Sequence, residues 1–191
     1  MSKQIPKVNI WDRRPWPKIG DSNIETTYAS VGRAISRWEI YDGHLSVLFS
    51  AFVAPNFKTK SAMRAYSAVR TFEGRLEMLR AASAAYFDEQ PDDKLLSEFK
   101  DILRNASSFA PRRNELSHAA VSSFIVDEKD VKETYALYPA YASFKERDLR
   151  NKPAYCMTSV EIDYFGEYFL QLQKPVSALA GHIAIRPYKT P

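Results

Sequence analysis

Apolar side chains recur at intervals of three and four along most of this chain, the spacing of amphipathic α-helices. The first stretch carries Ile24, Tyr28, Val31, Ile35, Trp38, Leu45, Leu48 and Phe52. Ser22-Asn23-Ile24-Glu25 precedes it as a capping box, in which the serine and glutamate side chains accept from each other's free backbone N–H groups. Gly43 interrupts the stripe and offers a place to bend, and Ala54-Pro55-Asn56 ends it. A second stripe, Ala65, Val69, Phe72, Leu76, Leu79, Ala82 and Tyr86, predicts one helix capped by Ser61 and closed before Pro91. Asp92-Asp93 suits the positive end of a third helix bearing Leu96, Phe99 and Leu103, which fades into Asn105-Ala106-Ser107-Ser108. Pro111 fits the first turn of another helix, where its missing N–H costs nothing, and that helix is expected to reach about Phe124.

The helical period lapses over residues 127–157, a stretch rich in tyrosine and charge: Tyr135, Tyr138, Tyr141 and Tyr155 beside Lys145, Arg147, Arg150 and Lys152. A short hairpin is expected there, pairing residues near 134–138 with residues near 154–158. Thr158-Ser159-Val160-Glu161 is a second capping box. The helix after it carries Ile162, Phe165, Phe169, Leu172, Val176, Leu179 and Ile183, with Pro175 inside as a predicted kink. The pattern predicts an all-α fold: an up-and-down bundle of four to five long helices, with a short irregular or hairpin insertion near 127–157. The bundle would occupy residues 22–185. Residues 1–21 read as an extended arm, because Pro6, Pro15 and Pro17 disfavour a helix, and residues 186–191 as a tail. Trp11 and Trp16 punctuate the arm among Arg13, Arg14 and Lys18, and docking of these tryptophans on the body is the simplest expectation.

Composition narrows the picture. With 191 residues and 45% hydrophobic content, the chain can bury a core of its own. Cys156 is the single cysteine, which excludes an intrachain disulfide and a cysteine-based zinc site. No apolar run reaches membrane-spanning length, and Met1-Ser2-Lys3-Gln4-Ile5-Pro6 lacks the apolar core of a secretory signal. A cytoplasmic protein without membrane contact is the expectation. A net charge of +4 is compatible with transient contact to RNA without demanding it.

The chemistry-bearing string is Arg113-Asn114-Glu115-Leu116-Ser117-His118. Arginine presents charge to phosphate in a planar fork, and histidine moves protons near neutral pH. If Pro111 opens a helix, the string lies at a positive helix end, which favours a phosphate. Asn114 and His118, four apart, would share a face, whereas Arg113 and His118 would lie about 140° apart around the axis. Arg112 is a substitute for Arg113, which is preferred because Asn114 follows it. The plainer reading makes Arg113 a solvated arginine and His118 a partly buried histidine with a backbone partner.

In this R-N-x-x-x-H string and its helical setting, the chain resembles the HEPN superfamily (higher eukaryotes and prokaryotes nucleotide-binding). The likeness of pattern covers about residues 22–185, and its specific part is those six residues. The resemblance implies a metal-independent endoribonuclease acting as a homodimer, with Arg113, Asn114 and His118 of two protomers at one cleft. It implies RNA as substrate, cut to a 2′,3′-cyclic phosphate, in a toxin or defence setting with an antitoxin or regulatory protein as partner. The runner-up reading is a catalytically silent helical dimer that binds RNA or a partner protein. Some members carry a modifiable tyrosine two residues after the histidine; here that position is Ala120, which puts such regulation in doubt. Neither His44 nor His182 has ligand-spaced partners, so no metal site and no cofactor are expected. His44 reads as a capping or surface group, and His182 as a cation suited to a helix end.

Overall fold

The computed structural model describes residues 15–54, 60–124, 133–140 and 153–185. These are mostly helical, with one small sheet. The order is α1 (Ile24–Val53), α2 (Lys60–Ala68), α3 (Phe72–Glu89), α4 (Asp93–Ser117), β1 (Ala119–Phe124), β2 (Thr134–Pro139) and α5 (Ser159–Ile185).

The centre of the core is the packing of α1 on α5. Trp38, fully buried, meets Phe169 edge-on at 5.1 Å between ring centroids. Gly166 permits the close approach: a Cβ there would stand 3.4 Å from the Ala34 backbone. Two ion pairs rim the contact, Arg33 with Asp163 at 3.0 Å and Arg37 with Glu167 at 2.6 Å. All seven positions of the last predicted stripe, Ile162 to Ile183, are buried. Pro175 lies within a helix that runs on unbroken. The first stripe is less faithful, since Tyr28 is half exposed.

Several boundaries differ from the sequence expectation. The N-cap of α1 is Asn23, whose side chain accepts from Glu25 N, so the Ser22–Glu25 box does not form. The Thr158–Glu161 box forms in its glutamate half, with Thr158 N donating to Glu161 Oε2 at 2.8 Å, while Thr158 Oγ1 donates to the same oxygen. The single second helix is two. Thr71 stops α2 from continuing and caps α3 by accepting from Gly74 N, while Arg75 Nε donates to the Val69 carbonyl left free at the break. The third and fourth predicted helices are one, α4, which passes straight through residues 105–108 and through Pro111. Pro111 is exposed, so the carbonyl that loses its helical donor there can turn to water.

Beyond Ser117 the chain turns to strand. β1 pairs antiparallel with β2, Ala119 opposite Pro139 and Phe124 opposite Thr134. The expected partner of β2, residues 154–158, contributes one bridge, Leu137 to Met157. Much of the predicted insertion, 125–132 and 141–152, lies outside the described residues. So do Trp11, Arg13, Arg14 and the 186–191 tail. Trp16 does dock on the body, packed with Phe124, Ala136, Cys156 and Tyr138. Asp21 locks the same corner. Its carboxylate accepts from Thr27 Oγ1 on α1 and from Ser159 N and Oγ at the start of α5, and its backbone bridges to Tyr135 of β2.

Candidate functional site

The hexapeptide occupies the C-terminal end of α4, opposite in polarity to the expected helix start. His118 is the C-cap, with φ −111° and ψ 27°, and its N–H donates to the Asn114 carbonyl at 3.0 Å. The misplacement follows from Pro111, which sits inside the helix rather than opening it. The consequence is electrostatic. A helix C-terminus presents carbonyl oxygens and a partial negative charge, so it repels a phosphate and favours cations. The helix contributes no positive end here, and any anion held at this point must be held by side chains.

The end is well capped. Ser117 Oγ donates to the Arg113 carbonyl at 3.0 Å, and Tyr155 Oη donates to the Glu115 carbonyl at 3.1 Å. The His118 carbonyl in turn accepts from Ala140 N at 3.2 Å, which ties the residue to the chain just past β2. The backbone of His118 is thus fixed on both sides while its side chain stands in solvent. Its imidazole makes no hydrogen bond among the described residues.

The two arginines have different jobs. Arg112 is largely buried and forms an ion pair with Glu115, itself buried within α4. Arg113 is partly buried. Its guanidinium lies over the Trp38 ring, 5.6 Å from the centroid, and Nη1 donates to Asn114 Oδ1 at 3.0 Å. Arg113 Nε and Trp38 Nε1 are buried without a hydrogen-bond partner. Asn114 is exposed, and it engages the arginine rather than the imidazole. Within one protomer, then, Arg113 and Asn114 form one unit and His118 stands apart, with no hydrogen bond between the two.

Sequence reasoning missed Trp38 as the platform beneath Arg113. A tryptophan inside an apolar stripe signals only core, and nothing in the spacing ties residue 38 to residue 113. Arg112–Glu115 was legible in principle, as an i,i+3 opposite-charge pair on a helix. The remaining histidines play minor parts. His44 Nδ1 lies 2.8 Å from the Ile40 carbonyl, and His182 is exposed in the last turn of α5. Among the described residues no three potential metal-ligating side chains cluster, and no helix is long and apolar enough to cross a membrane.

No protein-family model, no curated protein and no solved structure matches the chain.

Proposed function

We propose that this protein is a HEPN-type endoribonuclease: an up-and-down helical bundle that pairs as a homodimer and cleaves RNA through Arg113, Asn114 and His118. One observation carries the reading. Of the residues in the hexapeptide, His118 combines a fixed backbone with an exposed, unengaged imidazole, the condition of a side chain free to exchange protons with a bound substrate. The burial of Arg112 against Glu115 strengthens the choice of Arg113 as the phosphate-facing arginine, since Arg112 is already neutralised within the fold.

The chemistry needs no group beyond these. A base removes the proton of the RNA 2′-hydroxyl, whose oxygen attacks the adjacent phosphorus. The bond from phosphorus to the 5′-oxygen breaks, and an acid supplies that oxygen with a proton. The products are a 2′,3′-cyclic phosphate and a 5′-hydroxyl. One histidine per protomer suits two proton transfers only if two protomers share the cleft. Arg113, with Asn114 aligning its fork, holds the charge on the phosphoryl oxygens. The negative helix end makes this arginine more necessary than a helix start would have. A toxin or defence role, with a neutralising protein partner, accompanies the proposal.

A second reading is a catalytically silent helical dimer that binds RNA or a partner protein. The stacking of Arg113 on Trp38 favours it, because that arginine then serves the fold. The deciding experiment incubates wild type and His118→Ala with a mixed RNA pool and analyses the ends. Cleavage with 2′,3′-cyclic phosphate ends, lost in His118→Ala at unchanged melting temperature, supports the enzyme. Absence of cleavage by a well-folded wild-type dimer supports the silent reading.

A further inference from the structure

A cavity of about 480 Å³ opens between the C-terminal halves of α1 and α5 and the face of α2, and no residue of the hexapeptide lines it. Its wall is apolar and low. Val47, Ala51 and Met63 lie across from Ala180 and Ala184, and seven of the eleven described lining residues are Ala, Gly or Ser. Small side chains where two long helices diverge leave room that neither helix fills. The size falls within the range of pockets that enclose small molecules.

A run of small residues would mean little alone. The second observation is Ser50. It is 3% exposed, it lines this cavity, and its hydroxyl has no hydrogen-bond partner among the described residues. Buried hydroxyls are ordinarily satisfied, because leaving water without a replacement partner is costly. His44 adds a complementary group. Its Nδ1 must carry the proton it shares with the Ile40 carbonyl, which can only accept, so Nε2 of the neutral ring is left as an acceptor. Among the described residues no Lys, Arg, Asp or Glu lines the cavity. A charged ligand would find no counter-ion among these described lining residues.

We infer that this cavity is a binding site for a small uncharged molecule, apolar along most of its length, with one hydroxyl-like end that pairs with Ser50. The site is independent of the RNA-cleavage reading and stands or falls separately.

The test uses the full chain and the neutral fluorophore N-phenyl-1-naphthylamine, displaced by 1-decanol. Saturable fluorophore binding, reversed by the alcohol, is expected. Gly181 lies on the cavity wall, and a Cβ built there meets nothing within 4 Å. Gly181→Leu should fill the space and abolish binding without lowering the melting temperature, because leucine also suits a helix better than glycine. Ser50→Ala should weaken 1-decanol about fivefold, the worth of one hydrogen bond, while decane, which has no hydroxyl, is unaffected. Absence of saturable binding to wild type, or equal binding by a folded Gly181→Leu variant, overturns the site. Equal loss of decanol and decane in Ser50→Ala overturns the assignment of its polar end.

Discussion

Truncating Arg113 and truncating His118 should have opposite signatures in stability, and the contrast decides how far either can be read as chemistry. His118 is exposed, its ring is unengaged and its backbone torsions suit alanine, so His118→Ala should cost less than about 0.5 kcal/mol. Arg113 is different. Its guanidinium over Trp38 contributes about 1 kcal/mol as a partly desolvated cation–π contact. Its stem, packed on the indole, and its bond to Asn114 bring the loss in Arg113→Ala to about 2 kcal/mol. For a domain of this length each kcal/mol moves the melting temperature by roughly 2–4 °C, so Arg113→Ala should melt about 6 °C lower and His118→Ala within about 2 °C of wild type.

The assay is thermal melting followed by circular dichroism, repeated in a Trp38→Phe background. The cycle isolates the contact: the penalty for Arg113→Ala should shrink by about 1 kcal/mol when the indole is gone. An Arg113→Ala variant that melts with wild type would refute the reasoning. So would a His118→Ala variant that melts as low as Arg113→Ala, since its ring would then be structural. If the contrast holds, loss of cleavage in His118→Ala is a statement about chemistry, whereas loss in Arg113→Ala must be measured well below its own melting point.

Burial and the Asp42 carboxylate push the phenols of Tyr41 and Tyr66 above the usual 10.0. A raised folded-state pKa gives stability that is full below pH 10 and lost as pH rises beyond it. Absorbance at 295 nm should therefore show Tyr41 and Tyr66 among the tyrosines that ionise only as the protein unfolds in alkali, and smooth titration of all eleven before unfolding would contradict this. Asp21→Ala removes the acceptor for Thr27 and Ser159 at the joint of α1, α5 and β2, and should cost roughly 3 kcal/mol in urea unfolding; an unchanged midpoint would count against the joint. Gly166→Leu pushes against Arg37 Nη1 at 3.2 Å and the Ala34 backbone, and should destabilise by about 1–3 kcal/mol. Gly32→Ala, with nothing within 4 Å, should instead gain about 0.5–1 kcal/mol, and equal effects from the two would deny the close α1–α5 approach.

The core of this fold was largely readable from spacing, and its punctuation was not. The stripe from Ile162 to Ile183 predicted every buried position it named, because a helix packed along its whole length keeps its period. The errors fall where one local signal has two uses. Pro111 suits a first turn, yet an exposed proline is also tolerated inside a helix held by Phe109 and Leu116 on its buried side. Ala119–Phe124 was drawn into a helix because six residues, whose burial alternates only over the first four, are too few to separate strand from helix. Their strand character comes from pairing with residues 134–139, which no local pattern reveals. The motif residues were legible as types. Their polarity on the helix, and the indole beneath Arg113, required the tertiary structure.

The end of α4 also shows how one short string would serve both the fold and the proposed chemistry. Helical periodicity sends Arg112, Glu115 and Leu116 inward, and these three anchor the last turn through an ion pair and core packing. The same geometry sends Asn114, Ser117 and His118 outward. Arg113 lies between the two sets, its stem on Trp38 and its Nη1 reaching the exposed Asn114. The inward residues therefore hold the outward ones at a fixed height, and the hydrogen bonds to the Glu115 and His118 carbonyls prevent the end from fraying. An imidazole mounted this way loses little entropy on meeting a substrate, because its backbone is already ordered. The proposed cleavage calls for a second imidazole and an arginine facing His118, and within one chain His44 and His182 lie on other helices. A twofold axis near the exposed side of this turn would supply both at once, which is why the oligomeric state and the cleavage of His118 variants have to be measured on the same sample.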